Sequence, residues 1–403
     1  MHEHRSTRRA AGRPASELFG FSVPFEFPLH FTNHVFAAGN PLLANAVRRL
    51  EPSRRHRVLF VVDERVAATN PSLFEDIRRY VATFSEVMTL AAEPVIVPGG
   101  ESVKNDLAHA LEMLRTINDA GLDRQSFVAV IGGGAVLDMV SFAAAIAHRG
   151  IRVIRIPTTV LAQADSGVGV KNSVNLFGKK NFIGTFVPPF AVINDLQFLE
   201  SLERRDRIAG IVEAVKVALL KDAAFFDDIA LNAARAAADA DVLHRLIRRS
   251  AELHLMHICG NGDPFELGSA RPLDFGHWAA HKLESMTQHR LRHGEAVAIG
   301  IALDLIYSVR KGYLDRAIAT RISGVLEAIG FQLRDEALDW RDGDGRHVIL
   351  SGLREFREHL GGELHITLLR GIGDSFEVTE MDEALVAASI DELVAMRPAN
   401  VGR

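Results

Sequence analysis

The stretch SFVAVIGGGAVLD, residues 126–138, decides how the rest of the chain is read. It opens on a run of small and branched apolar residues, passes through Gly132, Gly133 and Gly134, and resumes with apolar residues at helical spacing. That order is a buried strand, a tight turn and a helix start. Glycines at such a turn let the backbone approach a phosphate, and the helix N-terminus behind them favours negative charge. The spacing is not G-x-G-x-x-G, because Leu137 stands where the third glycine would fall. Taken alone, the turn serves equally well as a plain connection.

Working outward, similar units flank it. RVLFVVDERV gives a buried strand over 57–62 closing on Asp63, followed by helical patterning over 72–91, a short run PVIVPGGE at 94–101 and an amphipathic helix over 105–120. Downstream, an Ala-rich helix to about 148 leads to the strand RVIRIPTTV at 152–160, and FAVINDLQFL is strand-like near 190–195. Strands alternating with helices at this spacing predict βαβ units and a mostly parallel sheet. Residues 22–36 mix aromatics with prolines and suggest an opening strand pair, while 161–190 reads as a long, glycine- and lysine-rich functional loop. From about 199 the pattern is helical, with helices expected over 205–221, 223–239, 241–258, 274–287, 294–311, 314–329 and 382–396 and a short β insertion at 363–370. The expected organisation is a basic disordered tail over 1–20, an α/β domain over 21–199 and an α-helical domain over 200–398.

At 403 residues two domains are the default, and 48% hydrophobic with 24% charged residues is ordinary for a globular protein. A net charge of −5 argues against nucleic-acid or membrane-surface binding. The single Cys259 excludes an internal disulfide and fits a reducing cytoplasm. The tail carries no apolar stretch, so it is not a secretory signal.

Candidate chemistry lies in both halves. Asp63 suits a ribose hydroxyl or a helix cap, and Thr158 and Thr159 stand at a strand end where ligands of open α/β sheets gather. Glu101 and Lys104 suit a cap and a mutual pair. Arg149, Lys171, Lys180 and Asn181 form a basic polar set that suits a phosphorylated substrate or, residue by residue, a solvated surface. In DFGHWAAHKLESMTQHRLRHGE (274–295), His277 and His281 share a helix face and His293 follows; upstream, Glu213 and Lys216 are an i,i+3 pair. Two imidazoles and a carboxylate are what a zinc-type ion binds when it keeps a position open.

PGGESVK, IGGGAVLD, IPTTVLAQADSGVGVKNSVN, GKKNFIGTF, VEAVK and FGHWAAH…HGEA stand in an order and spacing that resembles 3-dehydroquinate synthase and its sugar-phosphate cyclase relatives over about 55–375. The resemblance implies a Rossmann-like NAD-binding domain, a helical metal domain, a homodimer and a sugar-phosphate substrate. Glu213, His277 and His293 become ligands of zinc or cobalt. Asp63, Glu101, Lys104, Gly133, Gly134, Ala135, Asp138, Thr158, Thr159 and Lys180 fall at NAD positions. Asp165, Lys171, Asn181 and Lys216 match substrate positions, Asp165 and Lys216 being taken as catalytic together with His281 and Glu266. Arg149 matches a phosphate contact from the neighbouring subunit. The implied chemistry is transient oxidation by NAD, β-elimination of phosphate, reduction and intramolecular aldol closure to a carbocycle.

The departures concern the substrate. Dehydroquinate synthases carry R-x-x-L-N-x-G before the first histidine; here SARPLDFGH puts Asp274 in place of the asparagine and Arg271 one residue out of register. A carboxylate at Asp274 would repel a carboxylate substrate by about 1–3 kcal/mol. The family's upstream lysine falls at Ser250, and FREHLGG (356–362) replaces D-K-K, leaving Arg357 and His359 as local cations. Aspartate there resembles cyclases that take sedoheptulose 7-phosphate to valiolone-type products, while GDPFELGSARPLDFGHWAAHKLE resembles a further branch named 3-dehydroquinate synthase. The expectation is a ketose phosphate without a carboxylate. Its rivals are a true 3-dehydroquinate synthase, a metal-dependent polyol or alcohol dehydrogenase, and a non-catalytic binding protein.

Overall fold

The computed structural model describes residues 19–260, 264–265, 273–359 and 362–396. Among the described residues, eleven strands run in chain order: β1 (Leu29–Thr32), β2 (His56–Asp63), β3 (Met88–Leu90), β4 (Val95–Val97), β5 (Phe127–Gly132), β6 (Arg152–Pro157), β7 (Lys171–Leu176), β8 (Lys179–Phe186), β9 (Ala191–Asp195), β10 (Ile366–Gly371) and β11 (Asp374–Val378). The first half carries helices α1 (Leu42–Val47), α2 (Glu64–Thr69), α3 (Leu73–Thr83), α4 (Leu107–Asp119) and α5 (Gly134–Ile146). The second half is built from α6 (Arg204–Lys221), α7 (Ala223–Asn232), α8 (Ala240–Gly260), α9 (His277–Met286), α10 (His293–Arg310), α11 (Arg316–Ile329), α12 (Ser351–His359) and α13 (Glu383–Ala395). The architecture is an α/β Rossmann-like sheet followed by a helical region.

The sheet is wholly parallel, in the order β1-β9-β6-β5-β2-β3, with β4 taking the second half of the edge that β3 begins on β2. β2 and β5 are apolar along their length because both faces are covered: Val58, Phe60 and Val62 point into one core, Leu59 and Val61 into the other. The central strands end together at Asp63, Gly132 and Pro157, so one edge of the sheet collects their carboxyl ends.

Three expectations are corrected. The expected opening strand pair is a single strand, β1, which joins the sheet edge parallel to β9; Pro24 and Pro28 lack the N–H groups a hairpin partner would need. The helix expected over 72–91 stops at Thr83, and β3 pairs with β2 instead, tertiary pairing overriding the local helical pattern. Most of the expected loop 161–190 is ordered: a π-helical turn, Ala162–Ser166, then the antiparallel hairpin β7–β8. Phe177 and Gly178, both at positive φ, make its two-residue turn. Its alternation was disguised because polar residues, Asn172, Ser173 and Asn175, are buried beside Val174.

Candidate active site

One wall of the site is the carboxyl edge of the sheet. Asp63 Oδ1 accepts from the Arg65 N–H at 2.8 Å, so the capping role is realised, and a Cβ on Gly99 would stand 2.5 Å from the same oxygen. Burial raises the pKa of this carboxyl, against the pull of its backbone donors. β5 delivers Gly133 and Gly134 to the N-terminus of α5, with Ala135 and Asp138 in its first turns. A Cβ on Gly134 would collide with Ser166 Oγ at 2.6 Å, whereas one on Gly133 meets only Thr159 Cγ2 at 3.3 Å. The open side of this turn, facing free helix N–H groups, is a cradle that suits a pyrophosphate. Thr158 N–H donates to the Gly132 carbonyl at 3.0 Å, and Thr159 Oγ1 accepts from Ala162 at 3.2 Å.

Glu101 and Lys104 do not pair with each other. Lys104 is buried and donates to Asp138 Oδ2 and Asn181 Oδ1, both at 2.6 Å. Glu101 lies 3.7 Å from Lys180 and accepts from Asn175 at 3.3 Å. Asn181 adopts a left-handed backbone, φ 53°, which brings its amide over the hairpin.

The second wall is helical. α6 carries Glu213 and Lys216, α9 starts at His277, and α10 starts at His293. Two close helix contacts bring these starts together. A Cβ on Gly294 would lie 1.8 Å from the Ala209 carbonyl of α6, and one on Gly300 2.0 Å from the Gly276 carbonyl at the head of α9. Asp304 on α10 locks α9 further, accepting from Trp278 Nε1 at 2.8 Å and the Gly276 N–H at 3.0 Å.

The result is a triad of side chains that could hold a metal ion. One ligand atom each of Glu213, His277 and His293 lies within 4.8 Å of the others. The Phe275 carbonyl, 3.0 Å from His277 Nδ1, must accept its proton, which leaves Nε2 as a lone-pair donor. Glu284 does the same for His293 at 3.1 Å. Glu213 is fully buried, yet neither carboxylate oxygen has a donor at hydrogen-bond geometry; the Lys216 ammonium presses against Oε2, and His293 Nε2 is 3.6 Å from Oε1. A buried carboxylate with a lone pair left over from its Lys216 contact, beside two oriented imidazoles, fits a zinc-type ion with a position left for substrate.

Electrostatics agree. Burial and the Lys216 charge lower His277 to about 4, and burial with His277 holds His281 well below the usual histidine range. Burial works against charge on His293 too, but Glu284 and Glu213 outweigh it and push its pKa up to about 10. The two carboxylates that favour a proton on His293 would equally favour a metal cation in that proton's place. Lys216 is raised, Glu213 and Asp165 outweighing burial.

The other sequence-predicted residues divide. Asp165, in the π-helical turn, stands 4.0 Å from Lys216. Asp274 stands just ahead of α9, its carbonyl accepting from the His277 N–H at 3.0 Å, and its charge favours the protonated forms of Lys216 and His277. His281 packs its ring 5.6 Å from that of His277. Lys171 begins β7, and its charge reaches His257 of α8. Arg357 is exposed on α12, while Arg149 sits at the amino end of β6, opposite Thr158, and so outside this cluster. Glu266, Arg271 and the side chain of His359 lie outside the described residues.

The chain matches the models described as 3-dehydroquinate synthase N-terminal over residues 94–209 and 3-dehydroquinate synthase C-terminal over 210–342. It is 34% identical over 366 residues to a 3-dehydroquinate synthase of Cereibacter sphaeroides, covering 89% of this chain and 95% of that one. To the 3-dehydroquinate synthase of Paracoccus denitrificans it is 35% identical over 356 residues, covering 86% and 93%. The chain belongs to the 3-dehydroquinate synthase family. It is therefore an enzyme of the carbon–oxygen lyase type. Its fold also matches ValA, the 2-epi-5-epi-valiolone synthase of Streptomyces hygroscopicus solved with NAD+ and Zn2+, at TM-score 0.82 and 26% identity over 94% of this chain and 99% of that one.

Ser250, where the sequence resemblance puts a lysine, is fully buried and donates to the Ala164 carbonyl at 3.2 Å. Four further side chains at or beneath the site were not singled out in the sequence. One turn on from Ser250, His254 is the α8 side chain that meets the site, with Nδ1 2.9 Å from the Ser250 carbonyl and Nε2 3.1 Å from Asp165. Both neighbours are acceptors, so the proton between His254 and Asp165 is retained; burial opposes the charge, but Asp165 raises the His254 pKa. Glu284 was legible in principle, being one turn beyond His281 on the same helix face. Asp304 gave no signal, and neither did Arg155, fully buried and donating to the Gly169 and Lys171 carbonyls at 2.8 and 3.0 Å, where it fixes the start of β7.

Proposed function

We propose that the protein is an NAD- and metal-dependent sugar-phosphate cyclase that acts on a ketose phosphate of the sedoheptulose 7-phosphate kind, lacking the carboxylate of the quinate precursor. The observation that carries this is Asp274, which stands at the head of α9 with its carbonyl accepting from the N–H of His277 at 3.0 Å, where the resemblance to dehydroquinate synthases puts an asparagine. Support comes from Ser250, which offers no cation at the same end. Residues 21–199 would hold the dinucleotide and 200–398 the metal and substrate.

When bound, NAD would supply transient hydride acceptance and the ion polarisation of substrate oxygens. Glu213, His277 and His293 would hold the ion; Gly133, Gly134, Ala135, Thr158, Thr159 and the Glu101, Lys104, Asp138 and Lys180 network would hold the dinucleotide. Lys216 places a cation beside developing oxyanions. Asp165, paired with His254, orients substrate hydroxyls and keeps a proton at hand. His281, neutral and half-buried, can take up a proton, and Lys171 and Asn181 position the phosphate. In a homodimer, Arg149 would serve the partner's site.

The test offers the purified protein sedoheptulose 7-phosphate and its carboxylate-bearing heptulosonate counterpart, with NAD+ and zinc or cobalt, and follows phosphate release. Release only from the former is expected. Asp274→Asn should then raise kcat/KM for the carboxylate substrate by roughly 5- to 150-fold, matching about 1–3 kcal/mol of relieved repulsion. Release only from the heptulosonate would instead support a true 3-dehydroquinate synthase, the name its 34%-identical relative carries. Stoichiometric NADH accumulation without phosphate release would point to a dehydrogenase.

A further inference from the structure

A single run of charged contacts joins the two walls of the site. Glu101, in the turn whose Gly99 abuts Asp63, lies 3.7 Å from Lys180 Nζ. Lys180 donates to Glu284 Oε1 at 2.9 Å, and Glu284 Oε2 faces His293 Nδ1 at 3.1 Å. The other nitrogen of that ring belongs to the metal triad. The Glu284 side chain is 3% exposed, so solvent does little to screen either contact.

We propose that Glu284 is a positioning residue that couples metal binding to dinucleotide binding, a claim that rests on the NAD- and metal-dependent reading above. A metal requires His293 with its lone pair on Nε2 and its proton on Nδ1, and Glu284 is the acceptor that fixes that form. The same carboxylate tethers Lys180 on β8, and through it Glu101 in the turn beside Asp63. Each oxygen serves one wall, so tightening either contact orders the shared carboxylate for the other. Ordering α9 and β8 in one event lowers the cost of the second binding event. By linkage, the dinucleotide then strengthens metal binding by the factor with which the metal strengthens dinucleotide binding.

Both partners of Glu284 are donors. A glutamine offers one acceptor and one donor, so Glu284→Gln preserves shape while breaking one of the two contacts. The experiment uses the full chain and titrates NAD+ calorimetrically, first with metal stripped by a chelator and then with saturating zinc; zinc affinity is read in reverse by chelator competition with and without NAD+. For the unaltered chain, zinc should tighten NAD+ about tenfold, and NAD+ should tighten zinc by the same factor. In Glu284→Gln the coupling should fall below about twofold, with each ligand still binding alone and an unchanged cooperative melt. Lys180→Gln breaks the other end of the run, should abolish the coupling likewise, and keeps the question answerable if the Glu284 variant does not fold. The double variant should show nothing further. Undiminished coupling in both single variants, or no coupling in the unaltered chain when both ligands bind, would overturn the proposal. Failure of the unaltered chain to bind either ligand would overturn the cofactor reading itself and the proposal with it.

Discussion

The two walls of this site are built on opposite principles. The sheet wall works by what it leaves out: Gly133 and Gly134 keep side chains away from a helix N-terminus, and the ligand would meet backbone. The helical wall works by convergence: Glu213, His277 and His293 come from three helices, 64 and 16 residues apart along the chain (277 less 213, 293 less 277), and meet within 4.8 Å. The first wall depends on local turn chemistry. The second depends on helix packing accurate to a fraction of an ångström, which Gly294 and Gly300 make possible.

If convergence is the principle of the helical wall, removing one ligand should collapse its function outright. His277→Ala is expected to lose bound zinc in elemental analysis and to lower phosphate release by at least about a thousandfold, while NAD+ still binds. A variant that kept a full equivalent of tightly bound zinc would break the comparison. The packing beneath it is next: Gly294→Val forces a Cβ into the Ala209 carbonyl and should cost about 3 kcal/mol of stability in denaturant titrations. An unchanged midpoint would mean that the helix contact is looser than drawn.

Asp304 sharpens the same point through pH. Burial raises its pKa to about 7, so the folded protein keeps a proton that the unfolded chain releases near 4. The stability tied to that proton is present at low pH and is lost as pH rises toward 7. Between pH 5 and pH 8 the unaltered protein should lose on the order of 2 kcal/mol more than Asp304→Asn, one pKa unit being about 1.4 kcal/mol. Parallel stability curves for the two would remove Asp304 from this role. The smallest effect belongs to the sheet wall, where Gly134→Ala should weaken NAD+ about tenfold through the Ser166 collision and leave zinc affinity alone. Equal losses of both ligands would show that the walls are less separable than their construction suggests.

The sheet half was largely legible because its signals are local. A β-branched run ending in glycine has few alternatives, and β2, β5, β6 and β9 fall where the patterning predicts. Legibility failed where tertiary demands set the residue types. β7 and β8 hid their alternation because a hydrogen-bonded polar network around Asn175 and Asn181 is buried beside the apolar contacts of Val174 and Ile183. β3 was hidden because an edge strand of three residues leaves no period to read. Among the site residues, histidines at i,i+4 announced themselves, whereas Glu284, His254 and Asp304 each looked like one polar residue on an amphipathic helix.

By itself, the sequence determined the parallel sheet, the glycine turn and the helical second half and, through the motifs shared with a known family, pointed to Glu213, His277 and His293 as candidate ligands, which the fold brings together. Hydrophobic period and turn chemistry act over a few residues, so they survive in a linear text. Only the tertiary structure decided which polar side chains serve those ligands. It put Glu284 behind His293 and Lys180, put His254 rather than Ser250 against Asp165, and set the Asp274 carbonyl on the His277 N–H at the head of α9. Those choices depend on which face of each helix is buried against which neighbour, and a distance of 3 Å between residues a hundred apart leaves no period to read.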